Sequence, residues 1–247
     1  MSFQSVFKRY ELKYMLTSAQ KEKVLKAMAP YMKLDKYGRT TIRNLYYDTD
    51  DYLLIRRSIE KPVYKEKLRI RSYSKATEDN EVFVELKKKY KHIVYKRRVT
   101  IPNDEAMKWL SGEINLTKNN QITNEIDYFL GFYNSLHPSI FLSYEREAYY
   151  SLDGTDFRVT FDDEILCRQN DLSLASDVYG ERILPDDKVL MEIKCSGGIP
   201  LWMTEILSKE KIYKTSFSKY GTAYKTLIFQ ETHKINSYNM LEVNKNV

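Results

Sequence analysis

YKEKLRIRSY (64–73), EVFVELKKKY (81–90) and KHIVYKRRVTI (91–101) follow one another closely in the chain, and each alternates apolar with charged side chains. A period of two is typical of a β-strand with two unlike faces. The three segments therefore predict three consecutive strands, each with one apolar face and one charged face. The predicted charged positions are Lys67, Arg69 and Arg71 in the first segment, Glu85 and Lys87 in the second, and Lys96 and Arg98 in the third.

A solvated sheet face is the alternative interpretation of this pattern. Antiparallel sheets often place one face on a core and the other in water, and a solvated face is naturally charged. Ordinary solvent faces mix Ser, Thr, Asn, Gln, Lys and Glu, whereas these positions are mainly Arg and Lys with isolated Glu. Because the bias recurs over three strands, we expect the charged face to be the functional surface.

The composition indicates a globular protein with an anionic partner. The chain has 247 residues, of which 43% are hydrophobic and 30% charged, so it can bury a substantial core as one large domain or two small ones. The formal net charge of +6 and the pI near 9.0 favour an anion, and nucleic acid, phosphorylated metabolites and membrane surfaces all agree with that charge.

Cysteine content and hydropathy predict a soluble cytoplasmic protein. Cys167 and Cys195 lack metal-ligand spacing and are too few for a disulfide framework. The first 14 residues contain no apolar core of a signal peptide. No apolar run approaches the roughly 18 residues of a membrane span. His92, His137 and His233 are too scattered to predict a metal site.

The remaining periodicity predicts an α+β fold built on about eight antiparallel strands. Nearly all of these strands are polar on one side, which a closed barrel with a charged interior and external helices would accommodate. Cations packed in a lumen are costly unless anions accompany them, so the pattern predicts a polyanionic ligand. We expect one domain over residues 1–247. The predicted strands are 6–14, 40–49, 139–152, 157–167 and 189–195 beside the three central ones, and the predicted helices are 17–32, 50–57, 104–110, 124–136 (an insertion at about 103–136), 200–208 and 218–229.

An ordered set of short segments resembles the VTC domain, the polyphosphate polymerase domain of the vacuolar transporter chaperone complex, which also occurs as free-standing bacterial proteins. That family belongs with the triphosphate tunnel metalloenzymes, alongside CYTH-type triphosphatases. The resemblance covers about residues 7–224. The segments are RYELKY (9–14), IRNLYYDT (42–49), KLRIRSY (67–73), VELKKK (84–89), YKRR (95–98), YERE (144–147), RVTFDD (158–163), MEIKC (191–195) and SFSKYGTAY (216–224).

The resemblance implies a tunnel that holds a triphosphate or polyphosphate chain on basic side chains, together with Mn²⁺ or Mg²⁺. Glu192 resembles the metal-binding carboxylate of the family, and Glu11 and Glu85 are candidate helpers. Each of these carboxylates could instead only pair with neighbouring Lys or Arg. The candidate catalytic residues are Arg69, Arg71, Lys87 and Lys219, and the candidate phosphate-binding residues are Lys13, Lys67, Lys96, Arg98, Arg146, Arg158 and Lys194.

Some assignments carry alternatives that the sequence leaves open. Arg146 could pair with Glu145 or Glu147 on an outer face, and Asp162 could bind metal or only orient Arg158. Lys88, Lys89 and Lys91 fit a solvated hairpin rim better than a site. CYTH-type enzymes begin with a Glu-x-Glu-x-Lys strand, whereas Arg9 occupies the first position here, which favours the VTC type.

The residue types fit phosphoryl transfer, which depends on charge neutralisation and in-line positioning more than on a protein nucleophile. Guanidinium groups such as those of Arg69 and Arg71 fork onto phosphate oxygens, and lysines act as point charges. The leading hypothesis is a metal-dependent polymerase that moves the ATP γ-phosphoryl group onto polyphosphate. The alternatives are a tripolyphosphate or nucleoside triphosphate hydrolase and a non-catalytic polyphosphate-binding module. Nucleic acid is disfavoured because its binders carry basic residues on an outer stripe. A membrane-protein partner would be needed to couple synthesis to translocation.

Overall fold

A computed structural model describes residues 10–91, 93–117 and 120–229 of the chain. Its strands are β1 (Tyr10–Thr17), β2 (Met32–Leu34), β3 (Thr40–Asp48), β4 (Tyr64–Ser72), β5 (Glu81–Tyr90), β6 (Ile93–Pro102), β7 (His137–Ser151), β8 (Arg158–Arg168), β9 (Glu181–Arg182), β10 (Lys188–Cys195) and β11 (Lys214–Thr215). Its helices are α1 (Ser18–Met28), α2 (Leu53–Ile59), α3 (Asn103–Leu110), α4 (Gln121–Tyr133), α5 (Leu201–Lys209) and α6 (Lys219–Tyr224), and a π-helical segment (Lys225–Phe229) follows α6.

The strands form one antiparallel sheet in the order β11-β1-β10-β8-β7-β3-β4-β5-β6, with β2 paired to β7 and β9 to β8. The antiparallel α+β class is therefore confirmed. The closed barrel is not, because the described backbone forms no hydrogen bonds between β6 and the β1 end of the sheet. Side chains bridge the gap instead: Lys87 Nζ on β5 lies 3.0 Å from Glu11 Oε2 on β1. Since β10, β8, β7, β3 and β4 separate these two strands, the sheet curls around a concave face.

Apolar side chains on the opposite, convex face bind the helices to the sheet. Leu68 and Ile70 of β4 are fully buried with Trp109 of α3 and Phe129 of α4 in one cluster. A second cluster joins β1, β8 and β10 to α1 and α5 through residues such as Met203. The alternation of the central strands thus places their apolar positions under helices and their charged positions on the concave face. This arrangement agrees with the predicted two-faced strands.

Local signals explain where several helices differ from their predicted bounds. Thr17 caps α1 in a reciprocal capping box with Gln20, and the helix ends at Met28 because Pro30 cannot continue it. Asn120 caps α4 by accepting hydrogen bonds from two backbone N–H groups of its first turn, so α4 starts three residues before the predicted segment. Strands β2, β9 and β11 were not predicted because two or three residues carry no periodic pattern. Residues 6–9 of the first predicted strand lie outside the described part of the chain.

An irregularity in β8 brings polar and apolar residues onto the same face. The register with β7 shifts between Ser143 and Glu145, and Glu164 adopts a positive φ of 46°. In a regular strand, residues three positions apart point to opposite faces. Because β8 contains one extra residue here, Ile165 points to the concave face, as Asp162 does. The bulge thus divides the concave face into a charged part and an apolar part that packs on α6.

Candidate functional site

The charged part of the concave face is formed by strands from both ends of the sheet and by α6. Its basic side chains outnumber its carboxylates, as the alternation in the sequence predicted. Most are half-buried or buried. The basic members are Lys13, Lys65, Lys67, Arg69, Arg71, Lys87, Lys96, Arg98, Arg146, Lys194 and Lys219, and the carboxylates are Glu11, Glu85, Asp162 and Glu192.

Glu85 is enclosed by three basic side chains. Arg69 donates to Glu85 Oε2 from Nε at 2.9 Å and Nη2 at 2.7 Å. Lys96 Nζ lies 2.7 Å from Glu85 Oε1, which also accepts from Arg98. Burial alone would raise the pKa of Glu85, but Arg69, Arg71, Lys96 and Arg98 hold it well below its usual range. This arrangement makes Glu85 the counter-ion that fixes the phosphate-binding candidates, and it leaves few lone pairs for a metal.

Asp162 forms the second ion-pair cluster, with Arg146 and Lys219. Arg146 donates to the carboxylate through Nε and Nη2, both at 2.6 Å, and Lys219 Nζ of α6 lies 2.5 Å from Oδ2. Burial would raise the pKa of Asp162, and its two partners outweigh that effect and lower it. The partner of Arg146 is therefore Asp162 rather than Glu145 or Glu147. Arg158 lies exposed at the start of β8.

Glu192 lies beside this cluster, directly opposite Lys13 and Thr160 in the sheet register. Its carboxylate lies 3.2 Å from Lys13 Nζ and 3.6 Å from the Nζ atoms of Lys194 and Lys219. Burial would raise the pKa of Glu192, but Lys219, Lys13, Lys194 and Arg146 depress it strongly. Glu192 is therefore an anion in the folded protein.

Glu11 forms the ion pair with Lys87 that bridges β1 and β5. Burial would raise the pKa of Glu11, and Lys87 and Lys194 lower it to about 2. Glu192 acts in the opposite direction and raises the pKa of Glu11, so the two carboxylates are electrostatic neighbours. Glu11 and Glu192, unlike Glu85, therefore share one region of the concave face.

Lys67 and Arg71 on β4 have no carboxylate within 4 Å among the described residues. Lys67 donates to Ser218 Oγ at 3.1 Å, and Arg71, which is 6% exposed, donates to Asn44 Oδ1 at 3.0 Å and Tyr144 Oη at 3.2 Å. Burial and the nearby Lys65, Lys87 and Lys13 lower the pKa of Lys67 to about 7. Cations held away from water without a counter-ion are costly, so an anion that binds beside these two side chains would be favoured.

Several residues of the site were not predicted from the sequence. Tyr144 is buried among three cations: burial would raise its pKa, but Arg146, Arg71 and Lys219 lower it to about 8. Thr160 lies in the same charged row of β8, and its buried hydroxyl has no hydrogen-bond partner among the described residues. The alternation of RVTFDD places Thr160 on the charged face, which is the one signal that could have identified it.

The segment before α6 closes one side of the charged region. Lys13 Nζ donates to the carbonyl of Phe217 at 2.7 Å, and the side chain of Ser218 caps the helix at Gly221 N. Lys219 then enters the Asp162 cluster. The site thus combines residues from the first strand, the central strands and the last described helix.

A divalent cation fits this site only if the substrate supplies most of its ligands. The described residues contain no group of three His, Cys, Asp or Glu side chains that could hold a metal ion. Glu192, with Glu11 close by and the unpartnered hydroxyl of Thr160 opposite, offers one or two protein oxygens. Mg²⁺ is commonly held by one or two carboxylates, waters and substrate phosphates, so this donor set is compatible with it.

Comparisons with known proteins agree with this fold. Two solved structures, each described as a "putative adenylate cyclase", share the fold. The Bacillus halodurans protein is 15% identical, with a TM-score of 0.54 over 87% of this chain and 96% of its own. The Vibrio parahaemolyticus protein is 11% identical, with a TM-score of 0.50 over 89% and 98%. A search of curated protein sequences finds no match.

The described part of the chain has no helix long and apolar enough to span a membrane.

The family model of the VTC domain matches residues 8–228, which include every strand and every charged side chain of the concave face. The chain belongs to the VTC domain family.

Proposed function

We propose that this protein is a metal-dependent inorganic polyphosphate polymerase that uses ATP. The observation that carries the proposal is the excess of buried cations on the concave face, above all Arg71 and Lys67, which lack a carboxylate partner among the described residues. A polyphosphate chain supplies regularly spaced negative charge and would satisfy both. The inward position of these cations argues against nucleic acid, whose binders present basic residues on an outer surface.

The proposed reaction is an in-line phosphoryl transfer. A terminal phosphate oxygen of the polyphosphate chain forms a bond to the γ-phosphorus of ATP, the bond from that phosphorus to the β–γ bridging oxygen breaks, and ADP leaves. Arg69 and Arg71 would fork onto non-bridging oxygens and hold the reacting phosphates in line. Lys219 would neutralise charge beside them. No side chain needs to form a covalent intermediate in this scheme.

Glu192 and Glu11 would hold Mn²⁺ or Mg²⁺ together with phosphate oxygens. The bound cation would neutralise charge on adjacent phosphates and on the leaving group. Lys13, Lys194 and Lys219 now occupy the carboxylate of Glu192, and we expect them to turn toward phosphate oxygens when the substrate enters. The depressed pKa values of Glu192 and Glu11 keep both groups ionised for this role at neutral pH.

The test is to incubate the purified protein with ATP and Mn²⁺ or Mg²⁺ and to measure long-chain polyphosphate and free phosphate together. Polymer should accumulate, and Arg71→Ala and Glu192→Ala should abolish it. Arg97→Ala is the matched control, because Arg97 lies on β6 of the same sheet but pairs with Glu125 of α4 at 3.1 Å. Free phosphate without polymer would replace the polymerase with a hydrolase, and binding without either product would leave a polyphosphate-binding module.

A further inference from the structure

Asp48, at the end of β3, is a buried carboxylate outside the charged part of the concave face. It has no basic partner within 4 Å among the described residues. Its oxygens instead accept backbone N–H bonds from Thr49, Leu54 and Ile55 at 2.8–3.0 Å and the hydroxyl of Tyr220 at 2.7 Å. A buried anion that is held by four donors is firmly placed, so Asp48 is a rigid anchor between β3, α2 and α6.

Tyr220 connects this anchor to the charged site. Its ring stacks on Tyr46 with centroids 4.4 Å apart, and Tyr46 Oη accepts a hydrogen bond from Arg69 at 2.9 Å. Lys67 Nζ lies 5.8 Å from the centre of the Tyr220 ring. Tyr220 itself is 1% exposed, so its hydrogen bond to Asp48 is shielded from a phosphate chain on the charged face.

Lys219 immediately precedes Tyr220 and points in a different direction. Successive residues of a helix are about 100° apart around the axis, as 3.6 residues complete a turn. Tyr220 therefore faces β3 while Lys219 reaches Asp162 and Glu192 on β8 and β10. Because Tyr220 directly follows Lys219 in α6, fixing the Tyr220 side chain helps to set the rotation of the helix at Lys219 and with it the position of the Lys219 ammonium group.

We propose that Asp48 and Tyr220 are positioning residues that lock α6 so that Lys219 is presented to the phosphate chain in its binding geometry. This inference rests on the proposed function, since it concerns the same site. A fixed helix lowers the conformational entropy that the Lys219 side chain would otherwise lose when it binds phosphate. Tyr220 has no contact with phosphate in this scheme and acts through Lys219.

A double-mutant cycle on tripolyphosphate binding tests the proposal. Tyr220→Phe keeps the ring stacked on Tyr46 and removes only the hydroxyl, and Lys219→Met removes the charge. We expect each single variant to raise the Kd, Tyr220→Phe by about tenfold, as the loss of a hydrogen bond to a charged group suggests. In the Lys219→Met background, the same tyrosine substitution should change the Kd less than twofold.

Tyr47→Phe is the matched control for stability. Tyr47 is buried one residue before Asp48, but its hydroxyl contacts Met107 of α3 on the convex side of the sheet. We expect it to lower the melting temperature without changing the Kd. Independent, additive effects of Tyr220→Phe and Lys219→Met would overturn the lock, and so would an unchanged Kd in a folded Tyr220→Phe protein. Asp48→Asn provides a second test in case Tyr220→Phe does not fold, with the same non-additivity expected. Absence of binding by the unsubstituted protein would instead refute the proposed function, and this inference with it.

Discussion

Replacing Lys67 by Met should stabilise the free protein and weaken phosphate binding. Lys67 is surrounded by Lys65, Lys87, Lys13 and Arg69, and burial among them lowers its pKa from 10.5 to about 7. Its pKa in the unfolded chain is the ordinary one, so the unfolded state binds more protons between pH 7 and 10. The charge on Lys67 therefore destabilises the fold at neutral pH, and that cost disappears as the pH rises.

The size of the effect follows from these values. A tenfold change in proton affinity corresponds to about 1.4 kcal/mol, so lowering the pKa from 10.5 to about 7 costs at most about 5 kcal/mol. Loss of the hydrogen bond to Ser218 offsets about 1 kcal/mol of the gain. A net stabilisation of about 1–3 kcal/mol raises the melting temperature of a chain of this size by roughly 2–4 °C per kcal/mol.

Thermal unfolding at pH 7 and low salt, with and without tripolyphosphate, measures both effects. Lys67→Met should melt several degrees higher than the unsubstituted protein when free, and tripolyphosphate should raise its melting temperature less. Lys23→Met is the control: Lys23 pairs with Glu210 at 2.7 Å on the surface, where ion pairs contribute little. A lower melting temperature for ligand-free Lys67→Met, or an undiminished response to tripolyphosphate, would refute the argument.

Three further predictions concern pH, charge balance and the outer helices. Tripolyphosphate binding measured by calorimetry should weaken by up to about tenfold per pH unit above pH 7 as Lys67 loses its proton. Lys96, whose side chain is 41% exposed, should contribute less to this pH dependence. A constant Kd from pH 7 to 9 would contradict the prediction. Glu85→Gln leaves three cations without their counter-ion and should lower the free energy of unfolding in urea by about 3–5 kcal/mol, and tripolyphosphate should restore part of that loss. An unchanged urea midpoint would contradict the role of Glu85 as their counter-ion. Thr17→Ala removes the N-cap of α1 and should lower the free energy of unfolding by about 1 kcal/mol without changing the Kd for tripolyphosphate. A changed Kd would show that α1 affects the charged site.

The faces of the central strands could be predicted because they depend on local periodicity. Leu68 and Ile70 lie on the convex face under the helices, and Arg69 and Arg71 lie on the concave face, as a period of two requires. The same rule placed Glu192 on the charged side of its strand. Such predictions need only the direction of alternation and the sign of each side chain.

The pairing of charges could not be predicted, because it depends on contacts between distant parts of the chain. Asp162 pairs with Lys219, which is 57 residues away in the sequence, and Tyr220 donates to Asp48, which is 172 residues away. Nothing in the local pattern distinguishes these partners from the nearer Arg158 or Glu145. The curl of the sheet is equally non-local, since the Lys87–Glu11 contact that joins β5 to β1 is made by side chains rather than backbone.

The most direct test of the account is a crystal structure of the protein with tripolyphosphate and Mn²⁺. We expect phosphate oxygens within hydrogen-bonding distance of Arg69, Arg71 and Lys219 on the concave face, with Lys67 no longer limited to Ser218. We expect Glu192 beside the metal ion. Phosphates confined to the convex face, or a concave face whose ion pairs are unchanged and which contains no phosphate, would contradict the central claim that these cations form an anion-binding site.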